Sequence, residues 1–183
     1  MGFIYRIRLS GAGGHGLKQA ARILAEAAAI YEGRDAAESC SFGPEARGNT
    51  NRADVVISDE AIEYPRVEKV DFLMALTQES YDRYCKDVAP GGVVLMDRHI
   101  VTAGDTEGMK IYPAPIIDVA VTECRRPSMI SISALGFFAG LNGVIGEEST
   151  RLALLARVPK NSEDIYIEVY EAGLERALKM DKR

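Results

Sequence analysis

At 183 residues, with 47% hydrophobic and 27% charged side chains, the chain has the composition of one ordinary globular domain. Its 27 acids against 22 bases leave a net charge of −5, and no lysine/arginine run offsets it, which argues against a nucleic-acid footprint. No apolar run approaches the roughly 20 residues that span a bilayer, and Arg6 and Arg8 interrupt any leader-like start, so a cytoplasmic protein without membrane attachment is expected.

Taken in order, Ile4 to Leu9 reads as a strand, and Ser10 leads into Gly11-Ala12-Gly13-Gly14-His15-Gly16. A helix follows, with Leu17, Ala20, Ala21, Leu24, Ala28 and Tyr31 at helical spacing and Gly33 where a C′ glycine belongs. Asp35 to Ser39 is a short, weakly patterned strand, and Val55 to Ser58 is a β-branched run expected at the centre of a sheet. Asp71 to Leu76 and Val93 to Met96 are further buried strands. Between them lies an amphipathic helix, Gln78 to Val88, stopped by Pro90-Gly91-Gly92. Lys110 to Tyr112 is a last short strand. Helices are then expected over Ile116 to Glu123, Met129 to Leu141 and Glu147 to Arg157, and beyond Asn161 or Ser162 as cap. Tyr166, Tyr170, Leu174, Ala177 and Leu178 would form the buried stripe of that final helix. The alternation implies an α/β fold: a single domain over residues 1–183, with a mostly parallel, Rossmann-like sheet flanked by helices.

Ligands of such sheets sit at the carboxyl ends of strands, where the glycine segment, Ser58-Asp59 and Asp97-Arg98-His99 are all expected. Glycines permit positive φ and a close backbone approach, and the first N–H groups of the following helix would face an anion. The spacing also satisfies G-x-G-x-x-G. Packing of helix on strand is the simpler reading of the same glycines. A dinucleotide site would further want an acid closing the second strand. Asp35 has the separation but opens its strand, and Glu38 lies within it. His15 could donate to a phosphate or only cap its own loop, and a helix N-terminus favours its neutral form. The loop from Ser41 to Asn49 holds Glu45 and Arg47 between Gly43-Pro44 and Gly48, either as a solvated pair or as a rigid mount that presents Arg47 to an anion or a partner chain. Cys40, Cys85 and Cys124 are scattered, as suits reduced thiols, and cannot supply the four thiolates of a 4Fe–4S cluster. With His15 and His99 the only histidines, no metal site is expected. No catalytic motif is visible.

The segments Gly11–Gly16, Ser41-Phe-Gly-Pro-Glu-Ala-Arg-Gly48 and Val55-Val-Ile-Ser-Asp59 resemble the gamma subunit of 2-oxoacid:ferredoxin oxidoreductases. So do Pro90-Gly-Gly-Val-Val-Leu-Met-Asp97 and Ser131-Ile-Ser-Ala-Leu-Gly136. The family commonly has glutamine where His15 stands and glycine where Asn49 stands. The resemblance implies one subunit of a complex that oxidatively decarboxylates a 2-oxoacid to an acyl-coenzyme A and passes electrons to ferredoxin. It leans to 2-oxoglutarate, with pyruvate and ketoisovalerate enzymes as relatives, and leaves the isolated chain inactive. The complex would use thiamine diphosphate, Mg2+ and 4Fe–4S clusters, the thiamine site belonging mainly to partner alpha and beta subunits and the clusters to beta or delta. This chain would bind none of these alone but would help to shape the coenzyme A approach. On that view Gly11, Gly13, Gly14, His15, Gly16, Gly43, Glu45, Arg47 and Gly48 are the binding candidates. A stand-alone NAD-linked oxidoreductase and a purely scaffolding subunit are the alternatives.

Overall fold

The computed structural model describes residues 2–41, 50–63, 67–104 and 107–180. Six strands, β1 (Ile4–Gly11), β2 (Asp35–Ser41), β3 (Asn51–Ser58), β4 (Val70–Ala75), β5 (Val88–Asp97) and β6 (Lys110–Ala114), form one sheet in the order β2-β3-β1-β4-β5-β6. β1, β4, β5 and β6 pair in parallel, whereas β3 is antiparallel to both β1 and β2. The sheet is mostly parallel, as expected, with β3 reversed within it.

That reversal corrects one placement, while Asp35 opens its strand as expected. Gly11 pairs with Asn51 and Ile4 with Ser58, so Ser58-Asp59 lies at the edge opposite the glycine segment rather than beside it. Asp35 also pairs with Ser58 and is held at that far edge, where its carboxylate accepts the Ile62 N–H at 2.8 Å. A ribose-binding acid is needed at the end of a strand next to β1, and here β3 occupies that place.

Side chains alternate along β1: Ile7 and Leu9 enter the larger core, while Arg8 and Ser10 point to the other face. The larger core is covered by α1 (Leu17–Glu26), which continues as a π turn over Ala27–Tyr31, and by α4 (Ile130–Asn142), α5 (Glu147–Arg157) and α6 (Glu163–Leu178). α2 (Gln78–Tyr84) closes the smaller core, with Tyr81 and Tyr84 against Val56, Leu73 and Val94. Helix 78–88 is therefore shorter than expected. A 3-10 turn at Cys85–Asp87 ends it, and Pro90-Gly91-Gly92 falls inside β5, where the β4–β5 register shifts and Gly91 takes φ 78°. The segment 116–123 is α3 (Ile116–Asp118) followed by a π turn, Val119–Glu123.

α4 is buried on every side from Ile130 to Gly140 because it lies between the sheet and α6. Its approach to α6 rests on glycines: a Cβ at Gly136 would run into the Tyr170 carbonyl, and one at Gly173 into that of Ser133. The stripe of α6 accordingly contains Val169 and Gly173, while Leu178 is 51% exposed. Ser162 occupies the α6 N-cap position without a side-chain capping bond, after Asn161 at φ 75°. Tyr31, placed in the stripe of the first helix, is 39% exposed beyond that helix's last fully buried turn.

Candidate functional site: a basic cleft at the glycine turn

β1 ends at Gly11, and the chain turns over Ala12–His15, where the His15 N–H donates to the Ala12 carbonyl at 3.3 Å. Gly14 (φ 88°) and Gly16 (φ 77°) take left-handed conformations that only glycine adopts freely. Gly16 is the N-cap of α1, so no side chain satisfies the first helical N–H groups, and no acid lies in that turn. A Cβ on Gly16 would stand 2.5 Å from Ser131 Oγ, which brings the head of α4 hard against the turn.

Beside the turn lies a cleft of about 560 Å³, with Ala12, Gly14 and Gly16 in one wall. Lys18 and Arg22, one turn apart on α1, add positive charge, and Arg157 closes it from the end of α5. Asn51 contributes an amide from β3, because the antiparallel register sets it beside Gly11. Arg22 pairs with Glu38 at 3.3 Å, and Arg157 Nε donates to Glu26 at 2.6 Å. The second oxygen of Glu38 is buried with no hydrogen-bond partner among the described residues. Lys18 is exposed on the wall. Helix-end N–H groups and three cations suit an anionic ligand with more than one charge.

Of the expected site residues, Gly14 and Gly16 line this cleft, whereas Gly11, Gly13 and His15 belong to the turn but not to the wall. Gly43, Glu45, Arg47 and Gly48 lie outside the described residues. His15 is half-buried; its Nδ1 accepts the Ala12 N–H at 3.3 Å, and burial lowers its pKa. It caps its own loop in the neutral form. Lys18, Arg22, Asn51 and Arg157 were not foreseen. Lys18 and Arg22 carried a readable signal, four residues apart on one helix face, but Arg157 reaches the site only through the packing of α5.

Asp97-Arg98-His99 lies on the same edge of the sheet, and its side chains are engaged with neighbouring backbone and side-chain groups. Asp97 is fully buried and accepts the N–H groups of His99, Ile100 and Ile117, which ties β5 to the start of α3. His99 is exposed, 3.2 Å from Asp118. On the opposite face, Arg8 is 1% exposed and grips Asp54 with two bonds (2.7 and 3.0 Å), Asp87 at 2.6 Å and the Val67 carbonyl at 3.0 Å. Burial works against its charge, yet these partners and the Tyr84 ring outweigh it and raise its pKa. Cys40, Cys85 and Cys124 are free thiols on separate elements, and burial pushes the first and last up. Among the described residues no three histidine, cysteine or carboxylate side chains gather as a metal site, and no helix is long and apolar enough to cross a membrane.

Residues 6–177 match the family model for pyruvate ferredoxin/flavodoxin oxidoreductase. The 2-oxoglutarate synthase subunit KorC of Methanocaldococcus jannaschii is 39% identical over 173 residues, covering 93% of this chain and 92% of that protein. Ketoisovalerate oxidoreductase subunit VorA of Methanothermobacter marburgensis is 33% identical over 178 residues, and there the match covers 95% of this chain but 37% of the longer subunit. The crystal structure of the keto/oxoacid ferredoxin oxidoreductase gamma subunit from Geobacter sulfurreducens superposes with a TM-score of 0.88 at 39% identity, over 96% of this chain and 97% of that one. Over nearly all of its length, in sequence and in fold, the chain belongs to the pyruvate ferredoxin/flavodoxin oxidoreductase family, as a gamma-type subunit of a 2-oxoacid:ferredoxin oxidoreductase.

Proposed function

We propose that this chain serves a complex that converts 2-oxoglutarate and coenzyme A to an acyl-coenzyme A with electrons to ferredoxin, and that its own part is to hold coenzyme A. The 2-oxoglutarate preference is supported by the likeness to KorC along nearly the full length of both chains. The observation that carries the coenzyme A role is the cleft: the first turn of α1 without an acid, Gly14 and Gly16 at its mouth, and Lys18, Arg22 and Arg157 around it. The pyrophosphate and 3′-phosphate of coenzyme A need helix-end amides and cations of this kind. Arg47 is proposed as a further anion contact, with Gly43, Glu45 and Gly48 of the same segment helping to present it. Gly11, Gly13 and His15 shape the turn behind the wall.

On this reading carbanion chemistry is supplied by thiamine diphosphate on the partner alpha and beta subunits, and electron transfer by clusters on beta or delta. This chain's scattered thiols offer no donor set for a cluster. A self-contained NAD enzyme fits the site poorly, since Asp35 is at the wrong edge of the sheet.

The test is anaerobic isolation of the tagged full chain from its native cells, followed by viologen reduction with 2-oxoglutarate, pyruvate and 2-oxoisovalerate, each with and without coenzyme A. Co-purifying subunits with coenzyme A-dependent activity that is highest on 2-oxoglutarate are expected. Highest activity on another oxoacid overturns the substrate assignment. A chain that purifies alone and binds NAD overturns the complex. In the assembled enzyme, Arg47→Ala is expected to raise KM for coenzyme A, and an unchanged KM removes Arg47 from the site.

A further inference from the structure

We propose that His15 is a positioning residue for coenzyme A: its imidazole clamps the Ala12–Gly16 turn from behind and keeps Gly14 and Gly16 in the wall of the cleft. This rests on the reading of that cleft as the coenzyme A surface.

Three observations carry it. Ala12 and His15 are tied reciprocally: the His15 N–H donates to the Ala12 carbonyl, and the Ala12 N–H donates to His15 Nδ1, both at 3.3 Å. The ring also fills space that exists because residue 11 is glycine. A Cβ there would lie 2.7 Å from His15 Nδ1 and 3.1 Å from Leu76 Cβ. Finally, the ring is absent from the wall of the cleft that its own turn forms, so it acts on the ligand through the backbone.

The clamp has a protonation requirement. Nδ1 accepts the Ala12 N–H only while it carries no proton, so the neutral ring has its hydrogen on Nε2. Burial keeps the ring in that form, with a pKa below the ordinary value of about 6.5. The turn's neighbours on other elements are Leu76 after β4, Asn51 on β3 and Ser131 at the head of α4, all uncharged. Charges around the cleft are Lys18 and Arg22 on α1 and Arg157 on α5, with Glu38 and Glu26 paired to the two arginines. Protonation would turn Nδ1 into a donor facing another donor and release the turn. The sign is informative: a histidine that touched the phosphates directly would bind coenzyme A more tightly when protonated, whereas a clamp binds it more weakly. Glutamine offers an amide oxygen as acceptor at all pH values, so His15→Gln should hold the turn without the pH dependence.

Two measurements test this. In the ligand-free full chain labelled with 15N, the Ala12 amide proton should shift in step with His15 ring titration as pH falls below the ordinary histidine value of about 6.5, with Nε2 carrying the hydrogen at about pH 8. In the assembled complex, KM for coenzyme A should rise roughly 3- to 10-fold in His15→Leu with kcat little changed, a loss on the scale of one hydrogen bond. His15→Gln should restore it. Wild-type KM should rise on acidification more than that of His15→Gln, which carries coenzyme A's own phosphate titration as background. An Ala12 amide indifferent to His15, or His15→Leu with wild-type KM at every pH, overturns the clamp and leaves the cleft reading standing. If the amide titrates but KM for coenzyme A is unmoved by Lys18→Glu as well, the cleft reading is overturned and His15's role in binding with it. Should His15→Leu fail to fold, the amide titration and the His15→Gln profile still decide.

Discussion

Two ionisable residues withdrawn from water, half-buried His15 and fully buried Arg8, set the behaviour expected of single side chains. His15 has its folded-state pKa depressed by burial, so the unfolded chain takes up a proton at higher pH than the native one. Its contribution is complete above about 6.5 and is lost as pH falls from there through the folded pKa. Urea midpoints of wild type and His15→Gln should therefore diverge between pH 7 and pH 5, with the wild type falling faster. Arg8 presents the opposite case, a cation kept charged by Asp54 and Asp87 where solvent is excluded. Arg8→Met leaves the buried Asp54 carboxylate with only the longer ion pair to Arg52 at 3.8 Å and should cost about 3–5 kcal/mol in denaturant unfolding. Arg8→Met with Asp54→Leu should recover part of that, because an apolar pair replaces the most buried ion pair and the carboxylate left over, Asp87, is partly exposed to water. Additive losses in the double variant would mean that the two side chains do not act as a unit.

At the scale of elements, the α4–α6 contact is set by absent side chains. Gly136 and Gly173 face each other's helix backbones with no room for a methyl group, which gives the Ser131–Gly136 segment a packing role. Gly136→Ala and Gly173→Ala should each destabilise the chain by about 1–3 kcal/mol, even though alanine favours helix, because the helices must part. Gly104→Ala meets nothing within 4 Å and serves as the control, with a melting temperature near wild type. Equal melting temperatures in all three would refute the close-packing account. The same contact seats Ser131 against Gly16, so the helix pair also fixes one side of the glycine turn.

For the whole molecule, one edge of the sheet gathers what the chain separates: the turn after β1, Asn51 from β3, and Arg157 from α5. Lys18→Glu should raise KM for coenzyme A about 10-fold or more, with melting temperature unchanged, since the side chain is exposed and its charge faces the cleft. Raised salt should weaken wild-type binding and leave Lys18→Glu less affected. A variant with wild-type KM would place coenzyme A elsewhere in the complex.

The strands β1, β3, β4 and β5, the glycine turn and the long helices are legible in the sequence because each is written locally, in apolar periodicity and in glycines that need left-handed φ. The neutral His15 is legible too, since its capping partner is three residues away. The run in β3 is readable but its direction is not: a period of two is the same read either way, and pairing partners decide it. That one reversal moves Ser58 and Asp59 to the far edge and brings Asn51 to the near one. Pro90-Gly91-Gly92 reads as a stop and is a strand, because a shifted register in β5 accommodates it. The burial of Arg8 is not legible in the sequence, because Asp54, Asp87 and Val67 come from 46 to 79 residues away to receive it. The sequence by itself determined the elements and the turn that can hold an anion. The tertiary structure decided which cations surround that turn, because charge at a site is summed over chain segments that only packing brings together.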